Sequence, residues 1–213
     1  MSEAEVLQML QDAGVFRTGH FVLIAGDHSE TYINKDALYP HTKEISKLCG
    51  EMARRFSGFN VEAVIGPAVG AAILSQWTAH HLSEITGREV FATYADKDGN
   101  GGFIVKRGYD QLIAGKRVLV VEDSVTTGGS MRKVVDVARD CGAEIVGAIA
   151  ICNRGNVRRE DISAPQFESL VTLELDQWPA DQCALCERDI PVNIDIGHGK
   201  EFVAQKNIET AGV

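Results

Sequence analysis

Two neighbouring acids, Glu122 and Asp123, close a short apolar run at 118–121 and are followed by Ser124, Val125, Thr126, Thr127, Gly128, Gly129 and Ser130. Carboxylates accept hydrogen bonds from vicinal hydroxyls or hold Mg2+ through water. Hydroxyl side chains interleaved with glycine let successive backbone N–H groups turn toward an anion. The acids themselves repel phosphate, so the pair and the loop together suit the hydroxyls of a ribose beside a phosphate. The spacing fits neither the Walker loop nor GxGxxG. The plain alternative is a glycine-rich turn between a strand and a helix, but a solvated turn needs no paired acids ahead of such a run.

The flanking elements would place these groups where ligands bind. An uninterrupted apolar run bounded by charge suits a strand buried on both faces of a parallel sheet. The acids then fall at its carboxyl end, the ligand-binding edge of open α/β sheets. Met131, Val134, Val135, Ala138 and Cys141 share one helical face and Gly142 marks the stop, so the loop leads directly into a helix N-terminus, which favours an anion.

The rest of the chain repeats this alternation. A short amphipathic helix is expected over 3–13, a pair of short strands between 19 and 39 around a Gly-Asp turn, and a helix over 42–56 with Ile45, Leu48, Met52 and Phe56 on one face. Strands are expected at 61–65, 90–94, 144–152 and 167–175, with Ile73, Leu74 and Trp77 on a helix after the first of these. Residues 95–102, ADKDGNGG, read as a mobile loop. The expected fold class is α/β: a parallel, Rossmann-like sheet with helices on both faces. The 213 residues make one domain with a core over about 43–175 and a small hood from 1–42 and 176–213 over the carboxyl edge.

Composition excludes several function classes. A net charge of −9 repels nucleic acid, so any phosphate site must be local and largely built from backbone. The acidic start MSEAEV is unlike a signal peptide, and no run approaches the ~20 apolar residues that span a bilayer. A cytoplasmic location without membrane partners is expected. Five cysteines, an odd number, fit reduced thiols better than a disulfide framework.

VLVVEDSVTTGGS resembles the phosphoribosyl pyrophosphate motif of type I phosphoribosyltransferases, and nearly the whole chain is similar to the orotate phosphoribosyltransferases. The resemblance implies transfer of ribose 5-phosphate from phosphoribosyl pyrophosphate to orotate, giving orotidine 5-monophosphate and pyrophosphate in pyrimidine biosynthesis. Mg2+ is the implied cofactor, carried by the diphosphate and not by protein ligands, and a homodimer is implied because relatives share a loop between subunits. Residues 122–130 would bind the ribose 5-phosphate, Asp123 being also a catalytic candidate. Gly66, Pro67, Ala68, Val69 and Gly70 match the pyrophosphate loop, without the lysine that many members carry there. Thr126 and Arg154 match orotate-binding positions, and Lys35 is a cation near substrate, although it equally suits an exposed lysine. In the family's mobile loop Lys97 is the catalytic candidate. Asp96 and Asp98 flank it and would also suit a solvated turn, and Lys106 and Arg107 would begin the return strand. Residues 21–32 resemble the segment over the base, with Ile24 where some relatives have lysine.

Transfer to a purine or another heterocycle, or a sensor of phosphoribosyl pyrophosphate without catalysis, is compatible with the same motif. Cys183 and Cys186 form a lone CxxC. Zinc would need a second pair of ligands, which His198 or another subunit could supply, and simple thiols are the preferred reading. His20 and His28 receive no derivable role, and His80 and His81 suit packing or surface.

Overall fold

The computed structural model describes residues 1–23 and 26–211, with side chains through 205; Ile24 lies outside the described residues. In chain order the elements are α1 Glu3–Asp12, β1 Phe16–Val22, β2 His28–Ile33, α2 Thr42–Phe56, β3 Ala63–Pro67, α3 Gly70–Thr86, β4 Phe91–Lys97, β5 Phe103–Ile104, α4 Tyr109–Ile113, β6 Arg117–Val125, α5 Gly129–Asp140, β7 Glu144–Asn153, β8 Phe167–Thr172, α6 Ala184–Glu187 and α7 Gly199–Ala211. They form two units.

The first unit, Met1–Ala13 with Lys35–Leu173, holds a six-stranded sheet in the order β5-β4-β3-β6-β7-β8. Neighbours among β4, β3, β6, β7 and β8 run parallel, and β5 is an antiparallel edge. The expected α/β sheet is therefore present. Residues 118–121 are fully buried, as a strand covered on both faces requires. Met131, Val134, Val135 and Ala138 of α5 join Ala63, Ile65, Val118 and Val120 in one core. Strand alternation sends Val64, Leu119 and Val121 to the opposite face, taken by α2 and α3.

Two expectations change. Strand β4 continues to Lys97, and Asp96 and Lys97 pair with Ile104 and Phe103, so 95–102 is not a loop but the end of a strand and the turn of a hairpin. The Asp98 carboxylate holds that turn by accepting from the N–H groups of Asn100 at 2.7 Å and Gly102 at 2.9 Å. The return strand is Phe103–Ile104, so Lys106 and Arg107 follow it and do not begin it. Helix α3 carries Ile73, Leu74 and Trp77 as expected; Ile73 is 37% exposed while Ala71, Leu74, Ser75, Thr78, Ala79 and Leu82 are buried. Small residues let that helix approach the sheet, and the larger Ile73 is left outside.

The second unit, Gly14–Asn34 with Glu174–Val213, contains the β1-β2 antiparallel hairpin, α6 and α7. Residues 1–13 and 35–42, expected with the hood, group with the sheet unit: α1 packs on β8, and the Glu3 carboxylate accepts from the Thr172 N–H at 3.1 Å. Among the described residues no helix is long and apolar enough to cross a membrane.

Candidate functional site

Strand β6 carries Glu122 and Asp123 to its carboxyl end, each only 6% exposed. Ser124, Val125, Thr126, Thr127, Gly128, Gly129, Ser130 and Met131 then wrap a pocket of about 200 Å3 that is also lined by Glu122 and Lys35. Thr126, Thr127, Gly129 and Ser130 are exposed and α5 starts at Gly129, so the residues of its first turn, whose N–H groups have no intrahelical acceptor, line the pocket. The sheet edge thus brings Glu122, the hydroxyls and the helix start into one small polar cavity, with Asp123 next to Glu122 on the strand but not among the lining residues.

The two acids are held differently. Asp123 receives Lys35 Nζ on Oδ1 at 3.0 Å and the Tyr39 hydroxyl on Oδ2 at 2.5 Å. Glu122 accepts only from the Asp123 N–H, at 3.2 Å, among the hydrogen bonds of the described residues. Burial, then the neighbouring Asp123 charge, push the Glu122 carboxyl well above the usual carboxylate range, against a smaller opposing pull from Lys35. Burial pulls Lys35 down, but Asp123 and then Glu122 outweigh it and hold its ammonium above the ordinary lysine value. Burial and the same carboxylates keep the Tyr39 phenol protonated and able to donate.

Tyr39 was missed from sequence, its signal being only a tyrosine at the end of the segment that carries Lys35. Its ring explains Gly70. A Cβ at that position would lie 2.1 Å from the Tyr39 oxygen and 3.0 Å from Asp123 Oδ2. Residues 66–70 therefore approach the acids through a backbone position that tolerates no side chain. The Ala68–Val69 peptide is cis, and Val69 is 79% exposed.

Arg154 follows β7, beside the loop, and its N–H donates to the Val125 carbonyl at 2.8 Å. The buried Asn153 shapes this turn, donating to the Val157 carbonyl at 2.9 Å and accepting from the N–H groups of Gly155 and Val157. A Cβ at Gly155 would lie 1.7 Å from the Thr126 carbonyl oxygen, so the two loops touch backbone to backbone. Among the described residues Arg154 Nε is buried without a hydrogen-bond partner, so this part of the guanidinium fork is unused within the protein. Burial pushes the nearby Cys152 thiol up to about 12, so it is no nucleophile.

Lys97 is exposed at the end of β4 and is not among the residues lining the pocket. Lys133 of α5 donates to the Gly101 carbonyl at 2.5 Å, which ties the hairpin turn to the helix behind the loop. Arg107 pairs with Asp96 at 3.6 Å and Lys106 is exposed. The described residues among 21–32 belong to the second unit, where β1 and β2 form the hairpin.

The chain is similar to known proteins of one family. Residues 34–185 match the family described as a phosphoribosyl transferase domain. An orotate phosphoribosyltransferase of Caldanaerobacter subterraneus subsp. tengcongensis is 36% identical over 194 residues, covering 90% of this chain and 96% of the relative. A crystal structure of Mycobacterium tuberculosis orotate phosphoribosyltransferase superposes with a TM-score of 0.66 at 24% identity, covering 80% of this chain and 96% of that one. A second structure of that protein, in complex with 5-phospho-alpha-D-ribosyl 1-diphosphate, gives a TM-score of 0.58 at 21% identity over 80% of this chain and 89% of that one. By its motif, its fold and these relatives, the chain belongs to the phosphoribosyltransferase family, on its orotate phosphoribosyltransferase branch.

Proposed function

We propose that this chain transfers the ribose 5-phosphate of Mg-bound phosphoribosyl pyrophosphate to orotate, releasing orotidine 5-monophosphate and pyrophosphate. One observation carries the reading: Glu122, Lys35 and the whole of 124–131 line a single pocket at the start of α5. The loop N–H groups and hydroxyls would take the 5-phosphate, and the carboxylates the ribose hydroxyls. Fixing the ribose aligns its anomeric carbon between the entering orotate nitrogen and the departing diphosphate. As that bond breaks, negative charge grows on the diphosphate, where N–H groups of 66–70 and the Lys97 ammonium would stabilise it. Mg2+ carried by the diphosphate would supply charge neutralisation there. No side chain acts as a nucleophile.

The unpartnered Arg154 Nε supports orotate as acceptor, because a guanidinium pairs with a carboxylate that purines lack. Homodimerisation is supported by an exposed apolar groove of about 340 Å3 that includes Val69, Ile73, Trp77, Tyr94 and Tyr109 and adjoins the 66–70 loop. Five cysteines, an odd number, support a reducing, cytoplasmic setting.

Pyrophosphate release tests the reading, measured with orotate, uracil and purine bases, each with Mg2+ and with chelator. Release with orotate alone, abolished by chelation, is expected. Binding of phosphoribosyl pyrophosphate without turnover of any base would favour a sensor, and turnover with a purine would move the acceptor assignment.

A further inference from the structure

The second unit contains a cluster that phosphoribosyl transfer does not use. His20 on β1, His28 at the start of β2, and Cys183 and Cys186 around α6 bring four ligand atoms within 4.8 Å of one another, and three of the four residues are buried. Cys183 Sγ lies 3.6 Å and Cys186 Sγ 3.8 Å from His20 Nε2, and Cys186 Sγ lies 3.4 Å from His28 Nδ1. A tetrahedron built on zinc bond lengths has sulfur–nitrogen edges of about 3.6 Å and a nitrogen–nitrogen edge of about 3.4 Å. The three sulfur–nitrogen separations match those edges. The His20 Nε2 to His28 Nδ1 distance, 2.7 Å, is shorter, and a small rotation of one imidazole opens it.

The supporting contacts suit ligation. His20 Nδ1 lies 2.7 Å from the Ile190 carbonyl, which can only accept, so the proton sits on Nδ1 and the Nε2 lone pair faces the cysteines. Metal-bound histidines are oriented by this kind of outer hydrogen bond. The Ile190 N–H in turn donates to the Leu185 carbonyl, within the helical turn between the two cysteines. That turn places residues three apart on one side. His28 exchanges backbone hydrogen bonds with Trp178 at 2.7 and 2.9 Å, and its ring meets the edge of Phe202 at 4.7 Å. His198, the partner considered from sequence, is not in the cluster.

We propose that His20, His28, Cys183 and Cys186 bind one zinc ion as a structural site. Two thiolates and two neutral imidazoles balance the dication, which allows the group to be buried. Four protein ligands leave no open coordination position, so the ion would not activate water or substrate. A two-iron cluster would split the ligands between two metals, and atoms this close fit a single ion. The metal would clip the hairpin to a tail segment whose Cys186 is 158 residues from His28, closing a very long loop at a modest additional entropy cost.

The untagged protein, produced with zinc in the medium and purified without chelator, is analysed for metals by mass spectrometry and then exchanged with cobalt(II). About one zinc per chain is expected, with a tetrahedral cobalt visible spectrum and thiolate charge transfer. Cys183→Ser and Cys186→Ser should hold less than about a tenth of a zinc per chain, and Cys141→Ser, a thiol outside the cluster, should keep the full amount. Native protein with under about a tenth of a metal per chain and no tetrahedral cobalt spectrum overturns the proposal, as does zinc retained in both cluster variants. If the variants are insoluble, the native stoichiometry and the cobalt spectrum decide.

Discussion

The Tyr39 hydroxyl donates to Asp123 Oδ2 at 2.5 Å while Lys35 holds Oδ1 at 3.0 Å, so both oxygens of one candidate ribose-binding carboxylate are engaged before any ligand arrives. A buried carboxylate needs such partners. They also fix its orientation, so a sugar meets a preset acceptor. Tyr39→Phe removes one charge-assisted bond and should lower kcat/KM for phosphoribosyl pyrophosphate about 10-fold, equivalent to ~1.4 kcal/mol. Steady-state kinetics check this, and an unchanged kcat/KM would show that the contact is only structural.

Gly70 and Tyr39 form a steric pair. Gly70→Ala puts a methyl where the tyrosine oxygen sits, and should lower the melting temperature and cut turnover by at least about 10-fold. Adding Tyr39→Phe relieves the closest approach, so the double variant should melt above Gly70→Ala alone. Strict additivity in that cycle would disprove the coupling.

Glu122 links stability to pH. Its carboxyl titrates above its unfolded value, so between pH ~4.5 and the raised folded value the native state binds more protons than the unfolded chain. Stability from this group is complete below the unfolded value and is lost as pH rises through the folded one. Glu122→Gln should therefore be more stable than the parent at pH 8 by about 1–3 kcal/mol and no more stable at pH 4. Its turnover should fall. Denaturant melts across pH 4–9 measure the slope, and equal slopes in both proteins would rule the linkage out.

Arg154→Ala should raise KM for orotate about 30-fold or more, consistent with loss of ~2 kcal/mol from a charge-assisted pair, with the KM for phosphoribosyl pyrophosphate little altered. Equal increases in both constants would point to collapse of the adjoining turn at Asn153 instead.

Lys97→Ala should reduce kcat by at least about 10-fold with little effect on either KM, since the lysine is assigned to charge that develops only as the diphosphate departs. Full turnover would show that the hairpin lysine is a solvated surface residue between Asp96 and Asp98.

The strand, loop and helix over 117–140 were legible because their evidence is contiguous: an apolar run, two acids, hydroxyls and glycines, then a helical face. Helix 42–56 was legible through the same local periodicity, and the structure has it at those limits. The hairpin after Ala95 was obscured because polar, glycine-rich composition describes a turn but not the pairing of Asp96 and Lys97 with residues across it.

Side-chain partnerships between distant parts of the chain had no such signal. The residues that hold Asp123 lie 84 and 88 positions away, and nothing in their spacing points to it. CxxC displayed half of a ligand set, while the histidines that complete the group are more than 150 residues earlier. Periodicity and turn chemistry act over a few residues and can be read along the chain. Which tyrosine reaches an acid, or which histidine reaches a thiol, depends on how distant backbone is brought together within the sheet unit in the first case and within the unit of the hairpin and tail in the second.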